Sequence, residues 1–193
     1  GTRSNASPGR WHCLPAPAAT DPVRETLDRA NGALHLGVAL AGGWLVLGSP
    51  WIGMYDRLPE APGWSNLAHV VAGFAALAIG VAYAVNCMSG ERRREYFPWL
   101  GGDLAAVGRD VAGILRGRIP TVEGGGLLPM IEGLLLLALL AAGATGALWF
   151  LTQGSEAAAL LREQHILAAR AFAVLLLLHL AGVALHLLDF VRD

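Results

Sequence analysis

Lysine is absent from the sequence. All 14 basic residues are arginine, and against 15 acidic residues they leave a formal net charge of −1. Such a balance offers no basic field to a polyanion, which argues against nucleic acid as a partner. Charge of either sign is scarce: 15% of the chain is charged, where soluble domains carry about 25%. A soluble globular enzyme and a disordered chain are both disfavoured. Cysteine is nearly missing as well, for Cys13 and Cys87 are too few for a disulfide scaffold and have no CxxC spacing. Apolar residues fill the space instead, at 54% of 193 residues. That composition belongs to one membrane-embedded domain.

The few charges divide the chain into four long uncharged or nearly uncharged stretches. There are 26 residues between Arg29 and Asp56, 30 between Glu60 and Glu91, 23 between Glu132 and Glu156, and 18 from Ala171 to Leu188. A helix crossing hydrocarbon needs about 20 apolar residues, and lipid admits only helices or closed barrels. Leu-, Ala- and Gly-rich runs without alternation select helix. The expected fold is an all-α integral membrane four-helix bundle with spans at about 31–49, 66–88, 127–151 and 162–188. The fourth must start before Arg170 to be long enough, which puts that arginine at membrane depth.

Orientation follows from the arginines. Arg3, Arg10, Arg24 and Arg29 precede the first span. Arg92, Arg93, Arg94, Arg109, Arg116 and Arg118 lie between the second and third, and Arg192 follows the fourth. The other two connections hold only Arg57 and Arg162. Both termini are therefore expected in the cytoplasm, with the chain as a multi-pass protein of the inner membrane. Trp51, Tyr55 and Trp64 would mark the outer interface, and Tyr96 and Trp99 the inner one. Residues 1–26 read as an extended cytoplasmic tail without the apolar core of a signal peptide, and 27–193 as the membrane domain. Arg24 to Arg29 would form at most a short surface turn.

The connection at about 89–126 is long enough to be informative. Leu104, Val107, Val111, Ile114 and Leu115 fall on one helical face, with Asp103, Arg109, Asp110 and Arg116 elsewhere on the wheel. Residues of about 102–117 read as an amphipathic helix on the cytoplasmic surface, contacting lipid or another subunit.

Four histidines lie well within the spans, where ionisable groups are costly and usually functional, and His186 lies at the inner end of the fourth. His165 and His179 are 14 residues apart on the fourth span, which is about 21 Å along the axis and about 40° in azimuth. Depth sorts the set into an outer pair, His69 with His165, and an inner pair, His35 with His179. Paired imidazoles between facing helices suit two stacked b-type haems, each iron held by two histidines. The alternative is interhelical hydrogen bonding in a haem-free structural subunit. Zinc fits poorly, since neither pair has a carboxylate or thiolate in reach and closed zinc sites need four ligands. His186 would line the inner edge. Gly42, Gly43, Gly73 and Gly80 would admit a flat macrocycle, and Arg170 would pair with a haem propionate.

These features resemble the di-haem cytochrome b subunits of respiratory formate dehydrogenases and nickel–iron hydrogenases. The resemblance covers about residues 27–190 and is carried by HLGVALAGGWLVLG from His35 to Gly48, by NLAHVVAG around His69, and by the His165/His179 spacing. The long second connection favours the gamma subunit of formate dehydrogenase. The resemblance implies two haem b, His69 and His165 on the outer iron and His35 and His179 on the inner. It also implies electron transfer between a quinone and the iron–sulfur and catalytic subunits of an oxidoreductase. The chain is then an electron-transfer subunit rather than an independent catalyst. One departure stands out: the family's Gly-Gln-Lys segment before the third helix reads TVEGGGLLPMIEG here. Thr121, Glu123 and Glu132 are the polar groups left near a quinone, and Glu132 is the candidate for hydrogen bonding and proton supply. A stand-alone b561-like enzyme that oxidises superoxide and reduces quinone is the competing expectation; its shorter second connection argues against it.

Overall fold

The computed structural model describes residues 22–53, 55, 57–89, 92–120 and 125–192. Six helices follow one another: α1 (Pro22–Gly48), α2 (Trp64–Met88), α3 (Arg92–Tyr96), α4 (Leu104–Ile114), α5 (Leu127–Leu151) and α6 (Glu156–Arg192). Short 3-10 turns lie at Ser49–Trp51 and Pro98–Leu100. Four segments are long and apolar enough to cross a membrane: Asp28–Trp51, Trp64–Met88, Leu127–Leu151 and Glu156–Leu188.

The helix ends follow local chemistry. Pro22 suits a first turn because its missing N–H would be unpaired there anyway. Glu25 adds negative charge at the positive end of the dipole and pairs with Arg29 at 2.6 Å. Residues 22–26 are therefore helical and continuous with α1, rather than a tail with a separate turn; residues 1–21 lie outside the described residues. Gly125 and Gly126, with φ of 79° and 149°, turn the chain into α5. Asp110 accepts the Leu127 N–H at 2.8 Å, so α4 supplies an acceptor to the start of α5. Gly154, at φ 78°, makes the tight turn into α6.

Helix α6 has 37 residues and starts at Glu156, earlier than the expected 162. Glu156, Arg162 and Glu163 end the apolar run but not the helix, because interfacial charge is compatible with helical backbone and favours its solvated turns. The helix expected at 102–117 is the shorter α4, since Asp103 caps it by accepting the Ala106 N–H at 3.1 Å. Its Leu104, Val111, Ile114 and Leu115 are exposed.

Helix α5 packs most extensively on α6, α1 on α2, and α2 on α5. Lipid supplies no hydrophobic drive between helices, so close contact and small residues must hold them together. The interior repeats every seven residues, which is about 10.5 Å of axis and only about 20° of rotation. Three layers result. The proximal layer, nearest the chain termini, contains His35, Tyr83, Glu132 and His179. The middle layer contains Gly42, Ala76, Leu139 and Phe172, and the distal layer contains Ser49, His69, Gly146 and His165. Contacts hold each layer together across helices. Ala76, Leu139 and Phe172 share one buried cluster, and a Cβ at Gly42 would lie 2.6 Å from Phe172 Cζ. The ring of Phe172 thus occupies the space that any larger residue at 42 would take.

Candidate functional site

In the distal layer the rings of His69 and His165 meet edge-on, with centroids 6.3 Å apart and planes at 89°. His165 Nδ1 is 2.8 Å from the Ala142 carbonyl. A carbonyl only accepts, so Nδ1 carries the proton and Nε2 keeps its lone pair. Gly146 makes this geometry accessible, since a Cβ there would sit 2.9 Å from His165 Nδ1. Both histidines line two cavities. The larger, of about 390 Å³, is bounded also by Leu45, Ala76, Leu139, Arg170 and Phe172. The smaller, of about 70 Å³, is walled by Asn66, Phe74, Trp149 and Phe150.

Gly73 lines both cavities and has nothing within 4 Å of a built Cβ, so it faces open space. Gly42 and Gly80 instead meet neighbouring side chains, and Gly43 meets none. Of the four glycines singled out in the sequence, only Gly73 faces these cavities; Gly143 and Gly146 on α5 and Gly53 before α2 also line them. Arg170 is exposed on the wall of the larger cavity and forms no hydrogen bond or ion pair with the described residues.

The proximal layer is polar. His35 Nδ1 lies 3.1 Å from the Tyr83 hydroxyl, with the two rings 5.7 Å apart and edge-on. His179 Nδ1 lies 3.6 Å from Glu132 Oε1 and is buried without a hydrogen-bond partner. Tyr83 pairs with Tyr96, and Tyr96 with Glu132. The four predicted histidines therefore behave differently. His69 and His165 meet directly, whereas His35 and His179 have no mutual ring contact among the described residues and are joined through Tyr83, Tyr96 and Glu132. His186 follows one heptad later, with Nε2 buried and unpaired.

Tyr96 does not stand in an interfacial belt as its position suggested. It is half-buried, and burial pushes its phenol above the ordinary range; the Tyr83 hydroxyl pulls it back and the Glu132 carboxylate adds to the rise. Gly133 allows this docking, because a Cβ there would collide with the Tyr96 carbonyl. Trp51, Tyr55 and Trp64 are exposed. Cys87 is fully buried beside Tyr83 and Phe97. Thr121 and Glu123 lie outside the described residues, as do Cys13 and His12. Tyr83 and Phe172 went unread in the sequence, although Tyr83 stands 14 residues after His69 and Phe172 midway between His165 and His179; Tyr96 was read only as an interfacial residue.

Among the described residues no three His, Cys, Asp or Glu side chains converge on a metal position. Pairs of imidazoles match an iron whose other ligands come from a macrocycle. A family model described as prokaryotic cytochrome b561 matches residues 27–189. No curated protein and no solved structure matches the chain. The chain belongs to the prokaryotic cytochrome b561 family, a multi-pass membrane b-type cytochrome family whose membership implies haem b. The haem-free reading of the histidines loses its ground with that assignment. The residues present fit the group at the distal layer: two imidazoles flank cavities faced by glycine, and Asn66 Oδ1 and Trp149 Nε1 are buried there without partners. At the proximal layer the fit rests on the orphaned His179 Nδ1 and the paired His35.

Proposed function

We propose that this b561-family chain holds two haem b and carries electrons across the bilayer. One end would meet a peripheral iron–sulfur subunit of an oxidoreductase, of the formate dehydrogenase or hydrogenase kind, and the other the quinone pool. His69 and His165 would bind the distal haem, and His35 and His179 the proximal one. The observation that carries this reading is the repeat along α6: His165, Phe172 and His179 share one stripe at seven-residue steps, and each histidine has its counterpart layer on the facing helices.

Haem b, when bound, supplies a one-electron couple at its iron. The chain's own residues do the rest. The Ala142 carbonyl orients His165 through Nδ1, which leaves Nε2 to ligate. Phe172 and Leu139 keep the middle of the bundle dry and separate the two layers. Arg170 supplies positive charge on the cavity wall for a haem propionate, where an unpaired arginine at membrane depth would be costly. Glu132, with a quarter of its side chain exposed, is the carboxylate that would take up a proton from water and pass it to a quinone near the proximal layer.

The arginine distribution supports an orientation with both termini cytoplasmic, so that the proximal layer lies in the inner leaflet. Between α2 and α5 the connection folds into α3 and α4, which both pack on α5. The exposed Leu104, Val111, Ile114 and Leu115 of that segment suit the membrane surface or a docked subunit. One observation favours a second reading, a stand-alone enzyme that oxidises superoxide and reduces quinone: Arg170 is exposed on the wall of the larger cavity and would guide an anion to the distal haem.

Purification from the native membrane tests the proposal. The expected result is two haem b per chain in a complex with an iron–sulfur protein, both reduced through that partner and reoxidised by quinone. A lone, stable subunit whose haem is reduced by superoxide would replace the first reading with the second. One haem per chain would remove the two-site assignment.

A further inference from the structure

The proximal layer contains a chain of hydroxyls and imidazoles in which a Glu132 carboxylate would set one order of donors. Tyr83 and Tyr96 each have a single hydroxyl proton, and His35 Nδ1, Tyr83, Tyr96 and Glu132 follow one another in contact. A carboxylate only accepts. Tyr96 therefore donates to Glu132, Tyr83 donates to Tyr96, and Tyr83 must accept from His35. That makes His35 Nδ1 the protonated nitrogen and frees Nε2. On the other side of Glu132 stands the buried His179 Nδ1, 3.6 Å from Oε1 and with no hydrogen-bond partner. An approach of roughly 0.7 Å brings it to the length of a charge-assisted hydrogen bond. A carboxylate has lone pairs enough for both donors.

We propose that Glu132 is the positioning residue of the proximal site: its carboxylate fixes His179 directly and His35 through Tyr96 and Tyr83, so that both imidazoles present Nε2 to one iron. The proposal rests on the reading that His35 and His179 are ligands of a haem. It assigns Glu132 a structural partner in each facing helix and explains why Gly133 follows it, since only glycine lets the end of α3 bring Tyr96 alongside. It also separates the two haems in character. His165 donates its Nδ1–H to a neutral carbonyl, while the proximal acceptor would be a carboxylate, beside His179 directly and reached from His35 through the two tyrosines. A carboxylate acceptor makes an imidazole more basic and favours the oxidised iron. The proximal couple is therefore the lower in potential as far as these contacts decide it.

The test is a redox titration of the two haem couples, followed by their optical bands and low-temperature EPR signals, in the intact membrane-extracted protein. Glu132→Gln keeps the shape and removes the charge. The expected result is two haems per chain, the proximal couple moved to more positive potential and the distal couple unchanged. Tyr96→Phe cuts the arm to His35 alone and is expected to move the same couple in the same direction by less. A proximal couple that stays in place in a Glu132→Gln protein with both haems overturns the proposal while leaving the ligand assignment intact. If Glu132→Gln sheds the proximal haem, Tyr96→Phe carries the decision: a positive shift supports the proposal and an unmoved couple overturns it. A His179→Ala protein that retains both haems overturns the ligand assignment, and the proposal with it.

Discussion

The distal and proximal layers are built on the same register yet are opposite in chemistry. Distally, two imidazoles stand against cavities lined by glycine and aromatic carbon, and the one imidazole with a hydrogen bond gives it to a backbone carbonyl. Proximally, the layer gathers two tyrosines, a carboxylate and a buried thiol, and the imidazoles stand beside Tyr83 and Glu132. Histidine spacing sets the two layers at matching register, and the other residues of each layer make them unequal in polarity. A bundle can therefore place two identical ligand pairs and still distinguish them electrically, by what accepts the other ring proton.

The largest expected effect sets the layers apart outright. His69→Ala or His165→Ala should lower haem content from two to one per chain and leave the proximal signal, and His35→Ala or His179→Ala should do the reverse. Pyridine haemochrome content together with EPR of the remaining iron makes the measurement. Loss of both haems from a folded single variant would mean that the layers are one site.

Between the layers, Phe172→Ala tests whether the partition matters to stability. The ring is buried in the middle cluster and fills the notch left by Gly42. Removing a buried phenylalanine typically costs about 3–5 kcal/mol. A fall in thermal stability of the haem-loaded protein in detergent is expected, with both haems still bound at low temperature.

Much of this was legible in the sequence, and the losses have identifiable causes. Charge gaps located the four spans because hydrocarbon excludes charge, but they placed the start of α6 late, at 162, because hydropathy marks the lipid and not the helix. The meeting of His69 with His165 was legible because a straight helix converts spacing into height. The partners of the ring protons were not. Tyr96 reaches its place only through the fold of a connection, and nothing local to Tyr96 announces that Gly133 lets it approach. Gly146 was passed over for a related reason: its meaning lies in His165, which comes from another helix.

A smaller change should touch one layer only. Gly146→Ala places a Cβ against His165 Nδ1 and should weaken its bond to the Ala142 carbonyl, altering the EPR signal and potential of the distal haem alone. Gly43→Ala, where nothing lies within 4 Å, is the control and should change neither. A shift of the proximal haem in Gly146→Ala would show that the middle layer transmits strain.

The smallest expected effect lies beyond both layers, in α4. Asp103 caps that helix, and its hydrogen bond to Arg109, then that to the Ala106 N–H, hold its carboxyl below the usual carboxylate range. A carboxyl with a lowered folded-state pKa contributes stability that is present above its unfolded value of about 3.9 and is lost as pH falls through the folded value. Acid should therefore fray the first turn of α4 before it disturbs the bundle. Asp103→Ala should reproduce that fraying at neutral pH, read as faster amide exchange at Leu104–Val107, and should abolish its acid dependence. Because the cap is exposed and its ion pair screened, the change should stay local. The link from α4 to the bundle is Asp110, which accepts the Leu127 N–H and does not depend on the first turn. Both haem couples should therefore keep their wild-type potentials in Asp103→Ala. A moved proximal couple would mean that the connection tunes that layer from outside, and that the difference between the two layers is not set within the bundle alone.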